Sequence, residues 1–190
     1  MTEKEWVKSI IGEIEKKLRK ADKTIYVVDG RRLSYANEVL TYDNDNNPKE
    51  QNSVGYETDI FIYEKIDEET WKPRVIIETK LGSVTTHDAI TYSQKAQAHK
   101  YVHPFLRYGI LIGNRESYPL PGRLFRHGQH FDFMVSWKSI DADTYEMKKL
   151  LEIVNDEIQA SRTLEEILFN SRLKNRERFT SLHRPLRLSK

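Results

Sequence analysis

Gly55-Tyr-Glu-Thr-Asp59-Ile-Phe-Ile-Tyr-Glu64, a polar turn around Asp67-Glu68-Glu69-Thr70, and then Pro73-Arg-Val-Ile-Ile-Glu78-Thr-Lys80 form the stretch that decides the fold. Two runs rich in β-branched and aromatic residues flank a turn, which predicts an antiparallel hairpin. Centring that turn between Glu68 and Glu69 sets Asp59 opposite Glu78 and Glu57 opposite Lys80. Side chains on a strand alternate with period two, so Glu57, Asp59, Glu78 and Lys80 share one face with Phe61 and Ile76. Ile60, Ile62, Val75 and Ile77 occupy the other face. With both faces apolar, the sheet must be covered by helices on both sides, and the four charges lie at the end of a buried sheet. Charged groups in such a place point to function.

Directly opposed Cβ atoms on paired strands lie about 4.5 to 5.5 Å apart, so two facing carboxylates repel unless a cation sits between them. A divalent metal and one lysine resolve the conflict. Magnesium prefers hard oxygen ligands, keeps several waters and uses one or two carboxylates, which makes Asp59 and Glu78 the expected ligands, with Glu57 as a further candidate. Manganese has the same taste in ligands and is expected to substitute. The Lys80 ammonium would orient or polarise an attacking water and offset charge at a scissile phosphate. Two other Glu-x-Lys triplets, Glu15 to Lys17 and Glu146 to Lys148, fall in helical patterns, where they read as exposed charged faces.

In these residues the chain resembles the PD-(D/E)XK nuclease superfamily. The resemblance is carried by Thr58-Asp59 entering one strand and by Glu78-Thr79-Lys80 ending the next, followed by a helical pattern at Asp88 to Val102 and a strand at Tyr108 to Ile112. The order helix, hairpin, helix, strand covers Glu3 to Ile112, and Thr58 stands where the motif's name has proline. The resemblance implies a restriction-endonuclease-like α/β/α sandwich with a central mixed sheet and a C-terminal helical appendage. It implies magnesium-dependent hydrolysis of phosphodiester bonds in double-stranded DNA, by a restriction endonuclease or by the small cleavage subunit of a heterodimeric type IIS enzyme. A junction resolvase and a non-catalytic DNA-binding or partner-docking subunit of the same fold are the alternatives. Family members draw a further acid from the first helix, for which Glu13 is the candidate and Glu57 and Glu38 are rivals. Gln94 and Lys95, on the helix after the motif, are candidates for substrate or water contacts, and Arg123, Arg126, Arg176 and Arg178 for DNA contacts. One trio makes one centre. Cutting both strands therefore requires a second copy of the chain or a larger recognition and cleavage subunit.

Outward from the hairpin, Trp6, Val7, Ile10, Ile11, Ile14 and Leu18 fall on one face of an amphipathic helix over residues 3–20. Thr24 to Val28 and Leu33 to Tyr42 read as strands around the turn at Asp29-Gly30, and Asn44 to Asn52, without an apolar residue, as a loop. Phe131 to Trp137 reads as a strand, Asn114 to His130 as a long loop, and Asp143 to Gln159 and Leu164 to Leu173 as two helices. The expected division is a nuclease core over residues 1–140 and C-terminal helices with a tail over 141–190. His99 and His103 have the spacing of two ligands on a helix, but Pro104 ends that helix and no third ligand is apparent.

A length of 190 residues, 38% hydrophobic, suits one domain with a real core. The absence of cysteine excludes disulfides, thiolate metal sites and a cysteine nucleophile, and fits the reducing cytoplasm. No apolar run approaches the roughly 20 residues that cross a bilayer, and the acidic start Met1-Thr-Glu-Lys-Glu5 is unlike a signal peptide. The net charge of +2 conceals an asymmetry: residues 171–190 hold seven basic side chains against Glu177 alone. Such a tail binds phosphates with steep salt dependence, or docks on an acidic surface.

Overall fold

The computed structural model describes residues 1–117, 119–170 and 179–182. Helix α1 (Glu3–Ala21) starts at a capping box in which Thr2 and Glu5 satisfy each other's backbone amides, and it buries Trp6, Val7, Ile10, Ile14 and Leu18. Strand β1 (Ile25–Asp29) is next. Strands β2 (Arg32–Tyr42) and β3 (Pro48–Glu57) then pair with each other as a separate two-stranded ribbon. The chain returns to the main sheet in β4 (Ile60–Lys65) and β5 (Trp71–Leu81), crosses over through α2 (Thr86–Val102) to β6 (Arg107–Gly113), and passes through α3 (Gly122–His127) to β7 (Phe133–Ser136) and α4 (Thr144–Phe169). The five-stranded sheet has the order β1-β4-β5-β6-β7, antiparallel on the β1 side and parallel from β5 to β7. A parallel neighbour needs a crossover, and α2 supplies it.

The alternation read from the hairpin is met. Ile60, Ile62, Val75 and Ile77 join one core with α1 and α4, whereas Phe61 and Ile76 join a second core with α2, α3 and Leu33. The register also holds at Ile60↔Ile77, Phe61↔Ile76 and Ile62↔Val75, then slips by one residue at Arg74. Pro73 has no N–H to give the ladder there. The Arg74 guanidinium turns instead onto Glu64 at 2.6 Å and Glu165 at 2.7 Å, while Arg162 binds Asp22 at 2.8 Å and Glu64 at 2.6 Å. This cluster ties α4 to β4, β5 and the end of α1.

Four expectations are corrected. Gly55 to Glu64 is not one strand: Thr58 donates its N–H and hydroxyl to the Arg31 carbonyl, at 3.0 and 2.9 Å, and the chain changes sheets at that point. Glu57 therefore lies opposite Arg32 in the ribbon, not opposite Lys80. The asparagine-rich loop is largely strand, because β3 starts at Pro48 and gains its ladder from β2. The loop expected over 114–130 contains α3, and the two expected C-terminal helices are the single helix α4. That helix is not an appendage, since Met147, Leu150, Val154 and Ile158 complete one of the two cores.

Strand β6 is buried along its whole length and carries glycine where neighbours come closest. A Cβ on Gly109 would meet the Phe133 ring at 2.3 Å, and one on Gly113 would meet the Trp6 ring at 2.4 Å. Gly109→Ala is expected to lower stability by about 2 kcal/mol through overpacking, read as a lower urea midpoint at unchanged slope. An unchanged midpoint would mean that Phe133 yields without cost.

Candidate active site

The switch at Thr58 sets Asp59 immediately before β4, next to the C-terminal half of β5. One Asp59 oxygen, Oδ2, accepts the Thr79 amide at 2.7 Å and the Thr79 hydroxyl at 2.9 Å, which fixes the carboxylate over the strand end. Glu78, on the preceding residue, is 1% exposed. Its Oε1 accepts a hydrogen bond from the Tyr108 hydroxyl and lies 3.7 Å from the Lys95 ammonium. Burial first, and then the Asp59 charge, push the Glu78 carboxyl up to about 7, although Lys95 and Tyr108 draw it down. Burial and the Glu78 charge also raise the Tyr108 phenol well above its ordinary value, so it remains a donor.

Lys80 continues the line along β5. Its ammonium lies 3.3 Å from Glu3 and 3.7 Å from Asp88, and 5.5 Å from the centre of the Tyr92 ring. Burial works against the charged form, yet the Tyr92 hydroxyl and Glu3 more than offset it and hold the lysine above its usual pKa. Lys95 sits between Tyr92 and Tyr56, 5.2 and 5.5 Å from their ring centres. Tyr56 is itself stacked on Tyr35, with ring centres 3.9 Å apart. The site thus consists of two carboxylates, two ammonium groups and an aromatic wall.

Helix α2 brings half of these groups. Asp88, Tyr92 and Lys95 recur at the spacing of one helical face, and the small residues Ala89, Ser93 and Ala96 let that helix approach the sheet closely. This spacing was present in the sequence and is the signal that could have found Tyr92 and the contact of Lys95 with Glu78. Tyr108 carried no such signal, because its hydroxyl reaches Glu78 only through the β5–β6 pairing. Asp88 is also the capping partner of Thr85.

Other candidates lie elsewhere. Glu13 pairs with Lys17 at 2.7 Å on the half-exposed flank of α1, and the acid that α1 contributes is Glu3, one turn before Val7. Glu57 is exposed beside Lys4, and Glu38 accepts a hydrogen bond from Asn52 out on the ribbon. Gln94 is exposed and lines a shallow pocket with Arg126 and His127, away from Glu78. Arg123 and Arg126 are exposed on α3. Arg176 and Arg178 lie outside the described residues. His99 is fully buried, with Nδ1 3.2 Å from the Ser34 carbonyl and its ring stacked on Tyr108, and its pKa is lowered by burial to about 4. It acts as a neutral packing group behind the site.

The donor set suits a hard, hydrated dication. Glu78 is an acid held near the charge of Asp59 in a desolvated place, the electrostatic imbalance that a cation relieves. Among the described residues no group of three or more His, Cys, Asp or Glu side chains is gathered, so the protein's share would be these two carboxylates, with water and substrate as the other ligands. No helix among the described residues is long and apolar enough to cross a membrane. No protein-family model and no curated protein sequence matches the chain.

Proposed function

We propose that the chain is a magnesium-dependent endonuclease that hydrolyses phosphodiester bonds of double-stranded DNA, built as a restriction-endonuclease-like sandwich. The observation that carries this reading is the pair Asp59 and Glu78 with Lys80 beside it, at the end of a sheet that is otherwise apolar. Asp59 and Glu78 would hold magnesium, or manganese in its place. The bound ion would supply a Lewis acid for the phosphate and a water of lowered pKa. Thr79 aims the Asp59 carboxylate, and Lys95 and Tyr108 aim that of Glu78. Lys80 orients the attacking water and offsets the charge that builds on the phosphate, and Glu3 and Asp88 keep its ammonium protonated and directed. Lys95, Arg123 and Arg126 would meet the DNA backbone.

Supercoiled plasmid incubated with the chain and magnesium, read as nicked, linear or fragmented product, tests the reading. A single centre fits one strand of an antiparallel duplex, so the chain acts either as a symmetric dimer on a palindrome or with a larger recognition subunit, the small-subunit arrangement being the one we favour. Nicking that needs the added partner marks the heterodimer, and unaided linearisation marks the dimer. If no product forms with or without partner, or if cleavage proceeds equally in a chelator, the chain is not this enzyme.

Metal affinity gives a separate measurement. Asp59→Asn should weaken magnesium binding by more than about ten-fold, and Thr79→Val, which keeps the carboxylate but removes its hydroxyl donor, by about ten-fold or less. Calorimetric titration reads both. Unchanged affinity in Asp59→Asn would place the metal elsewhere.

A further inference from the structure

Away from the carboxylates, a groove of about 630 Å³ runs between α3, β7 and α4. Phe125, Phe133, Met134 and Ile153 give it an apolar lining, and Asp156 and Glu157 stand on the α4 side. It opens at Arg107 and Phe133, the first residues of β6 and β7, whereas Glu78 and Lys80 pair with Ile110 and Ile112 farther along β6. The groove and the carboxylates therefore belong to opposite ends of the parallel strands.

Ser181 and Leu182 already line this groove, so the chain leads its last eight residues, His183-Arg-Pro-Leu186-Arg-Leu188-Ser-Lys190, to the groove's mouth. Leu182 only skirts it and is 80% exposed, which leaves the apolar lining to the residues beyond it. The segment is matched to the groove in two independent ways. Arg184, Arg187 and Lys190 are not balanced by any acid in the segment, and the α4 side of the groove is acidic. Pro185 biases Arg184 to an extended conformation, and in an extended chain Leu186 and Leu188 fall on one side.

We propose that residues 183–190 are the occupant of the groove on their own chain, with Leu186 and Leu188 against the apolar lining and the cations at Asp156 and Glu157. This docking does not depend on the nuclease reading. It holds the basic C-terminus at the far end of the sheet from Asp59 and Glu78, and it makes the tail a strap over α3 and α4 instead of a DNA-binding arm.

The chain has no cysteine, so an introduced pair reports on this docking without background. Full-length Ala160→Cys/Leu186→Cys is oxidised at low concentration and followed on non-reducing gels and by peptide mass spectrometry. Ile153→Cys/Leu186→Cys serves as a second probe of the lining, and Asn44→Cys/Leu186→Cys, at the ribbon tip, serves as the control. Docking raises the effective concentration of the groove pair, so an intrachain disulfide should form at least about ten-fold faster there than in the control, in variants that melt like the parent. Equal rates in groove and control pairs would show that the tail does not dock and would overturn the proposal. A predominantly interchain product would assign the groove to a second copy and overturn it as well.

Discussion

Lys80→Ala is expected to lower the rate of magnesium-dependent DNA cleavage by ~10²- to 10³-fold, the cost of removing one well-placed cationic donor from developing charge. The fold should survive the change. The lysine's partners, Glu3 and Asp88, are partly solvated, and a pair of that kind contributes at most about 1 kcal/mol. DNA affinity should change little, because the proposed action is on the water and the scissile phosphate. The experiment is single-turnover cleavage at saturating enzyme, with thermal melting and a binding assay in parallel. A normal melt with an undiminished rate would remove Lys80 from the chemistry and leave Lys95, 3.7 Å from Glu78, as the ammonium to test next.

The second large effect concerns stability without metal. The Glu78 carboxyl stands at about 7 in the folded chain against an ordinary glutamate value of 4.5. A raised carboxyl pKa means that the folded state binds the proton more tightly than the unfolded state does. Its favourable contribution is therefore present below the ordinary value and is lost as the pH rises through about 7. Glu78→Gln removes the ionisation, so above pH ~7.5 the metal-free variant should be more stable than the parent by about 3 kcal/mol. The gain should shrink below about 1 kcal/mol near pH 5, where the parent's carboxyl is protonated in the folded state. Urea titrations at both pH values in the presence of a chelator decide it. A gain of the same size at the two pH values would show that Glu78 does not titrate as its surroundings dictate. Magnesium added at pH 8 should stabilise the parent and not the variant.

The parts of this architecture legible in the sequence were those in which local pattern and tertiary outcome share one cause. The period-two alternation at Ile60 to Ile62 and Val75 to Ile77 is the reason for two apolar faces, so the faces and the first half of the hairpin register could be read directly. Asp59, Glu78 and Lys80 were conspicuous because charge is costly there. The hidden parts depended on partners distant in the chain. The residues from Pro48 to Ser53 are polar and exposed, and they form a strand only because β2 lies beside them. The break at Thr58 comes from a bond to the Arg31 carbonyl, which no local propensity records. Ala160-Ser161-Arg162-Thr163 looks like a gap between two helices. It continues α4 because Ser161 is buried beside Arg74 and Arg162 is held by Glu64 and Asp22.

The core shared by α1 and α4 also constrains how the molecule can be made. Trp6 packs edge-to-face on Trp137 with ring centres 5.7 Å apart, and its indole N–H donates to the Ile140 carbonyl at 2.8 Å. One face of the central sheet is thus covered by the first helix to leave the ribosome together with the last helix described. At a synthesis rate of roughly 5 to 20 residues per second, Trp6 waits many seconds for its partners. During that time Ile60, Ile62, Val75 and Ile77 have α1 alone as cover. Pairings this distant along the chain slow folding, since the loop entropy is spent before the contacts form. The nascent chain should therefore remain open to chaperone capture until α4 emerges, and truncations within α4 should fail as a whole rather than lose a local element.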